Sequence, residues 1–158
     1  MVNKFLIFRD EVEEQLAAIR QLEDTLQEID KNKELDNEIA KRVYGSILED
    51  FYMAVEKIFK SIASEIDDDL PEDAKWHKKL LRQMSVEIPG TRPPVLNKDL
   101  FHNLEEYLRF RHLIHNIYGF QLDYERFEHL IQKLPKTIDK FETQIMRSLN
   151  EIEEIIGQ

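Results

Sequence analysis

Apolar residues recur along most of this chain in steps of three and four, the spacing that lines one side of a 3.6-residue helix. From Val12 the stripe runs through Leu16, Ile19, Leu22, Leu26 and Ile29, and it fails at the polar Lys31-Asn32-Lys33. A second stripe runs through Ile39, Val43, Ile47, Phe51, Val55, Ile58, Ile62 and Ile66, with Asp36 as the candidate N-cap. Asp67, Asp68 and Asp69 stand badly at a helix C-terminus by macrodipole logic, so they are read as caps for a third helix. That helix starts near Pro71, covers about Glu72 to Met84, and carries Trp76, Leu80, Leu81 and Met84. The stretch Val86 to Leu96 holds Pro89, Gly90, Pro93 and Pro94 and is predicted to be irregular. A fourth helix is expected from Lys98, capped by Asn97, to about Tyr118, with Gly119 as its stop. A short fifth runs from Asp123 to Leu134, ahead of Pro135, and a last one from Lys136 to Ile156.

Long helices joined by short turns predict an all-α, up-and-down antiparallel bundle of four main helices plus short ones. The length of 158 residues fits one domain spanning residues 1–158. The second helix carries Tyr44, Leu48, Tyr52 and Phe59 beside its main stripe, and the last carries Met146 and Ile155. So wide an apolar face predicts either a central helix or a dimer surface.

Composition narrows the chemistry. Cysteine is absent, which removes disulfides, thiolate metal sites and cysteine nucleophiles, and accords with a reducing compartment. Net charge is -10, from Lys+Arg 22 against Asp+Glu 32, so any contact with nucleic acid must be local rather than a general field. No apolar run reaches the ~18 residues of a membrane span, and Phe5 to Phe8 is followed by acid rather than a signal-peptide cleavage region. A cytoplasmic protein that does not engage membrane is expected.

Reactive side chains concentrate between Arg109 and Phe120. On a helix, Leu104, Leu108, Arg111, His115 and Tyr118 fall within about 80° of one another. Arg111 and His115 are one turn apart and can bear on one group. A guanidinium can grip a phosphate with two hydrogen bonds, and an imidazole can move a proton near neutral pH. Those are the minimum needs of RNA cleavage by 2′-hydroxyl attack. The competing reading is a polar helix boundary in which Arg111 pairs with one of the many acids.

Three ordered blocks carry a resemblance: Trp76 to Met84, Ile88 to Leu96, and Phe110 to Leu122, the last reading Phe-Arg-His-Leu-Ile-His-Asn-Ile-Tyr-Gly-Phe-Gln-Leu. Over about Trp76 to Leu134 the chain resembles the HepT-like group of HEPN domains, while the N-terminal helices match only in type and length. The resemblance implies a HEPN-like helical domain and a toxin of a toxin–antitoxin pair. It also implies a metal-independent endoribonuclease, needing no cofactor, whose motif copies meet in a homodimer. The partner it implies is a minimal nucleotidyltransferase antitoxin, in some systems attaching AMP to a tyrosine. The family motif is Arg, four to six residues, then His, with Tyr two places on. Carried over, the Arg is Arg111 and the AMP acceptor is Tyr118, but Asn116 stands where His is expected after four intervening residues. Asn is neither acid nor base at ordinary pH. Three alternatives follow. His115 takes over beside it, with Asn116 orienting RNA and Arg109 and His112 in support; Arg109 and His115 form the motif in a shifted register; or the chain is a non-catalytic module that partners the nucleotidyltransferase.

Other polar residues are assigned blander roles. Trp76 and His77 are expected to pack and make a local hydrogen bond, Arg92 to tie its loop to a nearby acid, and His102 and His129 to lie on the surface. Glu105, Glu106, Asp123, Glu125 and Glu128 lack the paired Glu-x-x-His spacing of a di-metal bundle.

Overall fold

The computed structural model describes residues 2–32, 34–115 and 124–157. It contains α1 (Val2–Lys31), α2 (Asn37–Glu65), α3 (Trp76–Met84), α4 (Lys98–His115), a 3₁₀ turn (Tyr124–Arg126) and α5 (Glu128–Ile156). The all-α bundle is as expected. Arg9 bonds Glu153 at 3.0 Å, while Arg20 bonds Glu142 at 3.1 Å and Asp139 at 2.9 Å, so α1 and α5 lie antiparallel.

Both predicted caps form. The Asp36 carboxylate accepts from the Glu38 N–H at 2.8 Å, and Asn97 Oδ1 accepts from the Leu100 N–H at 2.9 Å. Helix α1 starts ten residues earlier than its clearest stripe, because Phe5 and Phe8 extend the same spacing and are buried. Ile39 is the exception in α2: it lies in the first turn and is exposed.

Two boundaries need correction. The third helix begins at Trp76, not near Pro71, and the three aspartates cap nothing there. Asp67 instead turns its side chain inward to Arg92, and Asp68 takes a left-handed backbone, φ 53°. The second correction is Pro135, which does not end a helix but lies inside α5. An interior proline costs roughly 3 kcal/mol. Leu130, Ile131, Leu134, Ile138 and Phe141 form one buried face across it, and that burial offsets the cost.

The wide apolar face of α2 is resolved as a central helix, which packs against α1, α3, α4 and α5. Leu48, Tyr52 and Phe59 are wholly buried in the same hydrophobic cluster as Phe51, Ile58 and Phe141. Among the described residues no helix is long and apolar enough to cross a membrane.

The proline-rich stretch is ordered. Thr91 donates to the Ile88 carbonyl at 3.0 Å across a turn whose Pro89 and Gly90 (φ 79°) suit a type II geometry. Val95 and Leu96 are buried, and their N–H groups bond the Met84 carbonyl, which fastens the loop under α3. This sets α3 beside the C-terminal half of α4.

Candidate functional site

Helices α2 and α4 cross the site in opposite directions. Arg111 bonds Glu56, and His115 Nε2 lies 3.2 Å from Glu49, two turns back along α2. Arg111 and His115 therefore share the face of α4 turned toward α2, as their helical spacing predicts. The described part of α4 ends at His115, so the expectations for Asn116, Tyr118 and the Gly119 stop lie outside the described residues.

Glu56 is the centre of the arrangement. Its side chain is 5% exposed, and a buried carboxylate is costly unless paired. One oxygen accepts from Arg111 Nη1, and the other lies 2.5 Å from His77 Nδ1. A single carboxylate thus joins a guanidinium from α4 and an imidazole from α3. Tyr52, one turn before Glu56 on α2, is buried with its hydroxyl lacking a hydrogen-bond partner among the described residues. Burial, and then the negative charge of Glu56, push the Tyr52 phenol well above its ordinary pKa, against an opposing effect of Arg111. Tyr52 is accordingly a neutral, fully buried neighbour of Glu56 beneath the site.

Arg111, His77 and His115 border an open groove of about 1060 Å³ between α3, α4 and the start of α5, with Glu56 buried behind them. Its cationic lining residues are Lys75, Lys78, Arg82, Arg109, Arg111 and Arg126, set against Glu105 and Glu106. His77, His112, His115 and His129 line it too. In a chain of net charge -10, this is a local concentration of positive charge of the size that holds a few phosphates. Arg109 and His112 are exposed on the groove side of α4, so both motif registers open onto the same space.

A family model described as HepT-like protein matches residues 43–152. The chain belongs to the HepT-like family. The match takes in most of α2, all of α3 and α4, and most of α5, well beyond the blocks that carry the resemblance in sequence. No curated protein and no solved structure matches the chain. Glu56, His77, Arg111 and His115 all lie inside the HepT-like region.

Sequence reasoning missed Glu56 and assigned His77 only a local hydrogen bond. Their bond spans two helices rather than one, because α3 lies across α2. A signal for Glu56 was present. Tyr52, Glu56 and Phe59 are spaced four and three apart, so this carboxylate stands on an otherwise apolar line of the central helix. Arg92 is the loop tie that was expected, bonded to Asp67 at 2.7 Å through both Nε and Nη2. His102 and His129 are exposed and pair with Glu105 and Glu106.

Proposed function

We propose that this HepT-like protein is the toxin of a toxin–antitoxin pair, a metal-independent endoribonuclease whose site is completed where two copies of the chain meet. The observation that carries this reading is the shared groove: Arg111, Arg109, His112 and His115 border one positively charged space in an acidic protein. Arg111 holds the scissile phosphate with the donors Glu56 leaves open. His115 carries a proton, Asn116 orients RNA, and Arg109 and His112 hold flanking phosphates. Tyr118 accepts AMP from a minimal nucleotidyltransferase, which silences the nuclease.

The test is RNA cleavage in chelator by protein purified without its antitoxin. Wild type is expected to cleave and leave 2′,3′-cyclic phosphate ends, and Arg111→Ala to lose about 100-fold or more. Equal cleavage by both, or none by wild type, removes the nuclease role. Light scattering supplies the oligomeric state, with a dimer expected.

A second reading has its own support. Glu56 occupies part of the Arg111 guanidinium, and Asn116 stands at the motif position. Both fit a binding module that partners the nucleotidyltransferase without cutting RNA. Co-purification with that enzyme and AMP adducts by intact mass, with no nuclease activity, select it.

A further inference from the structure

We infer that His77, held by Glu56, is the general base of this site; the inference rests on the ribonuclease reading above. The Asn116 side chain cannot take a proton, and with His115 as the acid that protonates the leaving oxygen, a second imidazole is needed as the base. His77 is placed to supply it. Its Nδ1 lies 2.5 Å from Glu56 Oε2, and a carboxylate accepts, so Nδ1 carries the hydrogen and the basic lone pair of the neutral ring is on Nε2. The ring is further fixed by Trp76, whose centroid is 3.5 Å away, with Lys60 Nζ 4.1 Å above the indole. The His77 side chain is 36% exposed and borders the groove beside Arg111.

A nucleophile-activating base whose other nitrogen is oriented by a third group is a recurring catalytic arrangement. Here the orienting carboxylate also holds Arg111 through its second oxygen. One buried group thereby sets the phosphate-binding donor and the proton acceptor side by side. Of the charged groups, Glu56 from α2 bonds the ring, Lys60 from α2 lies over the adjoining Trp76, and Arg111 and Glu105 from α4 with Lys75 and Lys78 from its own segment line the same groove.

In the step, the 2′-hydroxyl gives its proton to His77 Nε2 as O2′ forms a bond to phosphorus. The phosphorus–O5′ bond breaks, and the 5′ oxygen takes a proton from the His115 imidazolium. The products are a 2′,3′-cyclic phosphate and a 5′-hydroxyl. Proton exchange with water returns both rings to their starting forms.

The experiment uses the full chain, an RNA oligonucleotide and uridine 3′-(p-nitrophenyl phosphate), whose leaving group needs no acid. His77→Gln keeps an amide donor toward Glu56 and removes the basic nitrogen. It is expected to lower kcat on RNA by about 100-fold or more, with KM little changed, and to flatten the acid limb of the pH–rate profile. On the nitrophenyl ester His115→Ala is expected to recover, while His77→Gln stays slow. If His77→Gln cleaves within about three-fold of wild type while Arg111→Ala is inactive, the base role is overturned and the nuclease reading stands. If wild type cuts neither substrate, both fall. Should His77→Gln fail to fold, long-range nitrogen–proton spectra of wild type read the ring directly. They are expected to show the Nδ1-protonated form, with an Nε2 signal that moves on adding 2′-deoxy oligonucleotide; an unmoved signal overturns the proposal.

Discussion

Two arginines in this protein bind buried carboxylates, and they do so in opposite ways. Arg92 is 2% exposed and uses every donor it has. Nε and Nη2 grip Asp67 at 2.7 Å each, Nη2 also bonds the Gln83 carbonyl at 3.1 Å, and Nη1 bonds the Val86 and Pro93 carbonyls at 2.9 and 3.1 Å. Among the described residues Arg111 gives one N–H to Glu56 and its buried Nε has no hydrogen-bond partner, while its side chain lines the groove. A saturated guanidinium can only hold the chain together. An under-used one at the border of a groove keeps donors in reserve for something that comes and goes, so the shortfall is the better marker of a site.

The sharpest break of this contrast is Arg92→Met. It leaves Asp67 charged and buried with only the neutral Gln83 amide, at 2.8 Å, as a side-chain partner among the described residues, which costs about 3–5 kcal/mol, and the thermal midpoint is expected to fall by roughly 10 °C or more. RNA cleavage per folded molecule at low temperature should not change. Arg111→Met is expected to do the reverse, abolishing cleavage while costing stability only about 1–3 kcal/mol, because Glu56 keeps its bond to His77 and lies next to the groove. Equal losses of stability from the two substitutions, read by urea denaturation, would erase the distinction. The double variant Glu56→Gln with Arg111→Met removes both charges. It should regain about 1–3 kcal/mol relative to Arg111→Met alone while staying inactive.

The same contrast explains what could be read from the sequence. Helix existence was legible because burial imposes a period, and Asp36 and Asn97 announced two helix starts by their capping chemistry. Pro135 misled, since a local rule was overridden by the apolar face continuing from Leu134 to Ile138. The aspartates at 67–69 misled for a related reason: macrodipole logic is worth tenths of a kcal/mol, whereas Asp67 answers to a buried guanidinium 25 residues away. Arg111 and His115 could be placed on one line because they share a helix. The Glu56–His77 bond joins helices whose relative placement depends on how the 86–96 loop folds under α3, and no spacing along the chain encodes that.

Glu106 offers the mildest case and fixes the lower end of the scale. It reaches from α4 to Lys133 Nζ and His129 Nε2 on α5, each at 2.8 Å, but all three side chains are partly exposed to water. Burial pushes its carboxyl upward, and the hydrogen bonds from Lys133 and His129 more than offset this, so its pKa lies below the ordinary value of 4.5. A depressed carboxyl contributes its stability in full above the unfolded pKa and loses it as pH falls through the folded one. Lys133→Met should therefore raise the Glu106 pKa in a carboxyl NMR titration and cost only about 0–1 kcal/mol at neutral pH. That cost should shrink further at high salt and be nearly absent in acid, where Glu106 is protonated in both states. A salt-independent loss as large as that of Arg111→Met would mean that exposure does not set the worth of these pairs. The difference between Arg92 and Arg111 would then need another cause than how completely each is enclosed.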